Sequence, residues 1–376
     1  MKITDIKTFL LHPAPKKSRW NVGKHLLLVK VETDEGIAGW GEAFTLRDRE
    51  KSLVQNVVNL KRYMIGRNPY HIKDFTQWAC NKFPDGRGAL DLFYAVRGIE
   101  QALWDIVGRH LNTPVYNLLG GPCRDRIRVY ANGWTSGAKN AREMADRAAE
   151  VVRMGFDAIK FYPFQNDEPE KAVVNNIRAV REAVGPKVDL LIDVWRISDP
   201  IKAIRVARRV EDLDIFWYEE PVPSQNLDLL TEVRQSTHLP IVTGECLYTK
   251  FDFRQVLEKR AADILNPDVG SCCGILQLKE IAAMAEPYYV QVSPHNYNST
   301  AVGLAATLQV SAVIPNFVIT EYFINFRELG DAISVHPFRV DEGYIRVPSS
   351  PGLGIEINEA ALKDYPDRKR SCRERV

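Results

Sequence analysis

The sequence predicts a parallel βα barrel preceded by a smaller α+β domain, and three observations carry that expectation. The first is size: 376 residues are more than twice the roughly 150 of a typical domain, which calls for two units or one large barrel with an appendage. The second is a pattern from Arg126 onward in which a short apolar run, a loop and an amphipathic helix recur, the runs being RVYAN, AIKFY, DLLID, IFWYE, IVTGE, ADILNPD, VQVSP and FVITE. The third is chemical: Asp193, Glu219, Glu245, Asp268, His295 and Glu321 close successive runs at intervals of 26, 26, 23, 27 and 26 residues. One βα unit has about that length. A barrel opens the C-terminal ends of all its strands on one face, so this spacing gathers six polar groups around a single mouth.

In chain order, MKITDIKTFLL alternates like a strand, and residues 25–42 read as two β-rich runs joined by Asp34-Glu35-Gly36, a turn in which Gly supplies the positive φ. Helical patterns follow at about 49–64 and 89–110, the latter placing Ala95, Ile99, Ala102, Leu103 and Ile106 on one apolar face. Turn formers at Leu118-Leu119-Gly120-Gly121-Pro122 close this region. The expected units are therefore an α+β domain at 1–120, the barrel at 121–322, and a segment at 323–376 whose run YIRVP (344–348) returns to the first domain. The end, KDYPDRKRSCRERV, reads as a solvated tail.

Composition narrows the function classes. Lys+Arg 50 against Asp+Glu 48 leaves a net charge of +2, which supplies no basic field for phosphate backbones and argues against nucleic acid. Six scattered cysteines with no CxxC pair argue against a disulfide framework or a structural zinc site and fit a reducing cytoplasm. The N-terminus has no apolar signal core and no window approaches a membrane span. A cytoplasmic protein away from membranes is expected.

Asp193, Glu219 and Glu245 at consecutive strand mouths would repel one another unless a cation sat between them, and hard oxygen ligands on rigid elements suit Mg²⁺, one per chain. A single acidic strand end could equally cap a helix or pair with a basic neighbour; three at equal spacing favour the metal. His295, in Val292-Ser293-Pro294-His295-Asn296, and Asp268, in Asn266-Pro267-Asp268, end neighbouring strands. A carboxylate there can accept from the imidazole, fix its tautomer and raise its basicity, which makes a general base. Lys160 and Tyr162 alternate with Ile159 and Phe161, so both point into the barrel. Lys160 can act on substrate or merely neutralise the acidic cluster, and Tyr162 can donate a hydrogen bond or a proton.

The order Lys160-x-Tyr162, Asp193, Glu219-Glu220-Pro221, Glu245, Asp268, His295, Glu321, preceded by a domain ending in Asn117-Leu118-Leu119-Gly120-Gly121, resembles the mandelate racemase subgroup of the enolase superfamily over essentially the whole chain. The resemblance implies an α+β capping domain over a modified (β/α)7β barrel, with Asp193, Glu219 and Glu245 binding Mg²⁺ and the metal binding a substrate carboxylate. It implies further that His295 with Asp268 abstracts the α-proton, that Glu321 hydrogen-bonds the carboxylate oxygen of the enediolate, and that Lys160 sits close to the same group. Three departures narrow the reaction. Racemases of the subgroup carry a second lysine where this chain has Tyr162, the muconate-lactonizing branch a lysine where it has Asp268, and some dehydratases a His where it has Trp195. What remains closest is an acid-sugar dehydratase with a His base, and the stretches Pro294-His295-Asn296, Pro315-Asn316-Phe317 and Glu321-Tyr322 resemble dehydratases of the galactonate and gluconate kind. An aldonate or aldarate would lose water to give a 2-keto-3-deoxy acid. A racemase, epimerase or cycloisomerase at the same site, and a non-catalytic carboxylate-binding relative, stay as alternatives.

Recognition of a polyol chain is expected from the capping domain. Arg19, Trp20 and His25 lie in or beside the loop between its first two strands, Arg47 follows its third, and Trp195 stands at the barrel mouth. Trp20 packing on the barrel and Arg19 as a solvated charge are equally good readings. The expected partner is a small-molecule carboxylate sugar, and a homo-oligomer is the expected assembly.

Overall fold

The computed structural model describes residues 1–13, 24–83, 90–164, 168–195, 197, 199–297 and 299–367. The chain opens with an antiparallel meander of β1 (Ile3–Leu11), β2 (Leu26–Thr33) and β3 (Ala38–Ala43). Thr33 and Ile37 close the β2–β3 hairpin by a 3.1 Å backbone hydrogen bond, and Gly36 takes the left-handed φ of 75° that the turn requires. Next come α1 (Glu50–Met64), α2 (Ile72–Gln77), a π-helical turn (Trp78–Lys82) and α3 (Leu90–His110). Leu53, Val57, Leu60 and Met64 recur every three or four residues along α1 and form its buried stripe.

Helix α3 is buried over most of its circumference and lies directly on β3. A Cβ on Gly41 would stand 2.0 Å from Gly98 O, and one on Gly39 2.2 Å from Ala102 O. Only glycines admit a helix and strand this close, and the contact fixes the position of α3 on the meander.

After a short α4 (Val115–Leu118), the chain alternates strand and helix: β4 (Arg126–Asn132), α5 (Ala141–Arg153), β5 (Ala158–Phe161), α6 (Glu170–Val184), β6 (Asp189–Asp193), α7 (Pro200–Arg208), β7 (Ile215–Glu219), α8 (Leu227–Gln235), β8 (Ile241–Thr243), α9 (Lys250–Lys259), β9 (Ile264–Leu265), α10 (Ile275–Ala285), β10 (Gln291–Val292), α11 (Ala301–Val313) and β11 (Thr320–Phe323). The strands pair in parallel in the order β10-β9-β8-β7-β6-β5-β4-β11. A parallel bridge between Val292 and Phe317 joins the two ends. Eight strands with a helix in each of the seven intervals make the parallel barrel expected from the runs, in the (β/α)7β form that the resemblance implies. Tyr130, Ala158, Leu191, Trp217, Val242, Ile264 and Ile319 fill its interior, while Ile159, Phe161, Leu190 and Ile192 face the helices, as strand alternation dictates.

Two cap carboxylates bind the units together. Glu42 of β3 accepts from Thr300 N (2.8 Å), Thr300 Oγ1 (2.6 Å) and Gly303 N (2.9 Å) at the start of α11. Glu100 of α3 accepts from Ile275 N (3.0 Å) and Leu276 N (3.2 Å) at the start of α10. Each satisfies backbone donors that a helix start leaves open.

Past β11 come α12 (Arg327–Ile333) and β12 (Tyr344–Arg346). The YIRVP run was expected to return to the first domain. Instead β12 pairs antiparallel with β4, because β4 extends beyond the short β5 and leaves backbone groups at Arg126–Arg128 to be paired. The residues after it touch the cap: Leu353 N donates to Asp105 (2.9 Å), Glu359 pairs with Lys30 (2.7 Å), and His12 N donates to Tyr365 O (3.2 Å). Residues 368–376 lie outside the described chain. Among the described residues, no helix is long and apolar enough to cross a membrane.

Candidate active site

The barrel mouth is assembled from strand ends. Lys160 is on β5, and alternation sends it inward with Ala158. Its fully buried ammonium lies 2.6 Å from Glu219 Oε1, 3.4 Å from Glu321 Oε1 and 3.7 Å from Asp193 Oδ2. Burial works against the charge, but Glu219, Glu321 and Asp193 outweigh it and hold the lysine pKa well above the usual value.

Asp193 and Glu219 are the last residues of β6 and β7 and stand opposite each other in register. Asp193 Oδ1 takes the Trp195 N–H at 2.8 Å, while Oδ2 is buried with no hydrogen-bond partner among the described residues. Glu219 is clamped by Lys160 and Asn266 Nδ2 (2.9 Å) on Oε1 and by Trp217 Nε1 (3.0 Å) on Oε2. Glu245 follows β8 by two residues, and its N–H donates to Asn266 Oδ1 at 3.1 Å. Burial raises Asp193 to about 7 and lifts Glu219 well above the carboxylate range, with neighbouring carboxylates adding to both.

The imidazole of His295 joins this cluster from β10's mouth. Its Nδ1 is 2.6 Å from Asp268 Oδ2, and the two residues are bridged in parallel backbone register. Gly270 N–H holds the other Asp268 oxygen at 2.5 Å. His295 Nε2 points at Glu245 Oε2 (3.1 Å) and Glu321 Oε2 (3.4 Å). Burial pulls the imidazole pKa down, but Glu321, Asp268 and Glu245 override it and hold it well above the usual value. For Glu321 burial likewise works upward, yet His295, Lys160 and hydrogen bonds from Asn132 Nδ2 (2.6 Å) and Asn296 N (3.0 Å) keep it below the ordinary range.

Glu219, Glu245 and His295 have ligand atoms within 4.8 Å of one another and could hold a metal ion. This group differs from the expected Asp193, Glu219 and Glu245 by one member, because His295 Nε2 lies against Glu245. Asp193 is tied to the same cluster through Lys160. Its orphaned Oδ2 and the crowding that raises these carboxylates are conditions a divalent cation relieves, so the donor set fits one.

Tyr162, one residue past β5, is half-buried, and burial together with the Asp193 charge lifts its phenol pKa well above the usual value. Of the residues expected to recognise substrate, Trp195 borders the cluster through its N–H on Asp193. Arg19 and Trp20 lie outside the described residues. His25 stands where the tail meets the cap, with Nε2 2.9 Å from Asp367 and Nδ1 3.4 Å from Glu50. Arg47 is exposed, and Trp195 is 57% exposed with a left-handed φ of 40° beside Asp193.

The sequence reading passed over Asn132, Asn266 and Tyr297. Asn132 and Asn266 fall at strand ends like the carboxylates, but their neutrality hid them from a tally of charges. Tyr297 follows His295 by two residues, packs on Phe44 of the cap at 6.1 Å, and receives the Lys24 ammonium at its hydroxyl (3.0 Å).

Two family models match the chain. Residues 6–120 match the mandelate racemase / muconate lactonizing enzyme N-terminal domain, and residues 143–361 match the enolase C-terminal domain-like family. A D-galactonate dehydratase of Variovorax paradoxus (strain S110) is 36% identical over 96% of this chain and 94% of its own length. A D-gluconate dehydratase of Thermoproteus tenax is 34% identical over 96% of this chain and 74% of its own. The crystal structure of a mandelate racemase/muconate lactonizing enzyme from Jannaschia sp. CCS1 superposes with a TM-score of 0.90 at 31% identity, covering 99% of both chains.

Proposed function

The chain belongs to the mandelate racemase / muconate lactonizing enzyme family of the enolase superfamily, and from that premise we propose that it is a hydro-lyase. It removes water from a sugar acid, an aldonate or aldarate, to give a 2-keto-3-deoxy acid, and it uses one Mg²⁺. The observation that carries the reading is the His295–Asp268 pair at 2.6 Å, turned toward a buried cluster of carboxylates around Lys160. The names of the two dehydratase relatives support it.

Asp193, Glu219 and Glu245 hold the cation in this reading. When bound, it supplies positive charge to a carboxylate whose α-carbon is about to lose a proton. His295 is the base. Asp268 accepts from Nδ1 and leaves Nε2 as the atom that takes the α-proton. Removing that proton puts a second negative charge on the substrate carboxylate, and the Lys160 ammonium stands where it can stabilise it without reorganisation. Glu321, buried and hydrogen-bonded by Asn132 and Asn296, holds the Lys160 ammonium from 3.4 Å. The leaving hydroxyl needs a proton, and either His295 returns the one it took or Tyr162 donates. A phenol kept neutral by its surroundings is a donor and not a base, so one base serves one face and a single carbon-2 configuration reacts.

The test is a panel of mono- and diacid sugars with Mg²⁺, read by 2-keto-3-deoxy product and by exchange of the α-hydrogen with deuterated solvent. The His295→Asn variant should lose both signals. Persistent exchange in that variant, or similar rates for both carbon-2 epimers, refutes the assignment.

A further inference from the structure

Outside this cluster, the described residues bring two cysteines into contact across the two units. Cys80 lies in the π-helical turn of the cap and Cys273 in the loop from β9 to α10, 193 positions apart in sequence, with sulfurs 3.2 Å apart. Both are free thiols. Cys273 has the left-handed φ of 63°, and next to it Gly274 lets the loop press on Glu100 of α3.

A buried guanidinium completes the arrangement. Arg97 of α3 is fully buried; its Nη1 donates to Gly270 O at 2.7 Å, while Nε and Nη2 have no hydrogen-bond partner and no carboxylate pairs with it among the described residues. The guanidinium also lies over the Tyr94 ring at 4.9 Å, and a buried cation without a counter-charge is costly. Arg97 stands beside Cys273, and together with the Cys80 thiol it draws the Cys273 pKa below the usual thiol value against the pull of burial. Cys80 is pushed up, as is the neighbouring Cys272. With the guanidinium beside Cys273 and the two sulfurs 3.2 Å apart, the pair can carry one thiolate with a thiol in reach of it.

We propose that Cys80 and Cys273 form a peroxide-responsive dithiol that closes into a disulfide between the capping domain and the loop leading from Asp268. The Cys273 thiolate attacks one oxygen of hydrogen peroxide; the O–O bond breaks, hydroxide leaves, and the sulfur becomes a sulfenic acid. The Cys80 sulfur then attacks the Cys273 sulfur, the S–S bond forms, and the sulfenic hydroxyl leaves with the Cys80 proton as water. Overall two thiols lose two electrons and one peroxide becomes two waters. The bond ties the cap turn to a loop that already holds Asp268 through Gly270. Closing the 3.2 Å gap between the sulfurs pulls on that loop, and through Asp268 on the partner that orients His295.

The full chain is treated with a few molar equivalents of hydrogen peroxide, alkylated, digested and read by mass spectrometry. The expected product is a Cys80–Cys273 cross-linked peptide that dithiothreitol reverses, with Cys123, Cys246, Cys272 and Cys372 alkylated. In Cys80→Ser the cross-link disappears and dimedone labels Cys273. Turnover, an arm that rests on the dehydratase reading, should fall at least about ten-fold on oxidation and recover on reduction, while the Cys80→Ser/Cys273→Ser double variant keeps its rate under the same treatment. Oxidation elsewhere with both cysteines still alkylated overturns the proposal, and so does a cross-link that leaves turnover unchanged. A reduced enzyme inert toward every sugar acid counts against the dehydratase reading alone, since the cross-link is read by mass.

Discussion

Glu42 offers a direct measure of what the seam between cap and barrel contributes. Burial raises its carboxyl to about 7 in the folded chain, against hydrogen bonds from Thr300 and Gly303 that favour the ionised form. An unfolded glutamate titrates near about 4.3. Because the folded pKa is the higher one, the native state binds the proton more tightly. Its contribution to stability is greatest below the unfolded pKa and is lost as pH rises toward 7. The difference of about 2.7 between these values corresponds to about 3.7 kcal/mol, of which about 2 to 3 kcal/mol falls between roughly pH 5 and pH 8. Glu42→Gln removes the titration and leaves an acceptor for the α11 amides. Urea unfolding of both proteins across that range isolates the residue, because every other titrating group cancels in the difference. The stability of the variant relative to wild type should rise by about 2 to 3 kcal/mol from the acid to the alkaline end. A constant offset, or a trend of opposite sign, would refute the claim that Glu42 is buried against the α11 amides in the way described.

Three further outcomes are expected. Replacing Asp193, Glu219 or Glu245 by the amide should abolish turnover and weaken Mg²⁺ binding by calorimetry, and excess chelator should abolish wild-type turnover until Mg²⁺ is returned; full activity in chelator would end the metal reading. Tyr162→Phe should retain solvent exchange while elimination falls by about two to four orders of magnitude if Tyr162 is the acid, and should keep substantial turnover if His295 returns the proton. Lys160→Met removes the one ammonium among Asp193, Glu219 and Glu321 and should cost about 3–5 kcal/mol in urea unfolding without added metal; a loss under about 1 kcal/mol would mean that the cluster does not depend on it.

The barrel was legible because six of its eight strand runs end in a side chain that packing cannot explain, and the spacing of those ends reports the length of a βα unit. Asp193, Glu219, Asp268, His295 and Glu321 accordingly meet where the arithmetic put them. Asn132 and Asn266 were invisible because their work is to hold Glu321 and Glu219 by hydrogen bonds, which needs no charge. The contact of His25 with Asp367 was not legible because loop position says nothing of which way a ring turns. Neither the placement of β12 on β4 nor the meeting of Cys80 with Cys273 has a local signal; both depend on closure of the whole fold.

The glycine contact between α3 and β3 reaches further than the cap itself. With the helix backbone seated on the strand at Gly39 and Gly41, Glu42 and Glu100 become the two tines of a rigid fork, and the N-termini of α10 and α11 are the sockets it fits. Helix α10 begins at Gly274 and has no side-chain cap of its own. A different cap grafted onto this barrel would have to present two acids at the same separation, so the seat of the cap is set by the close approach at Gly39 and Gly41.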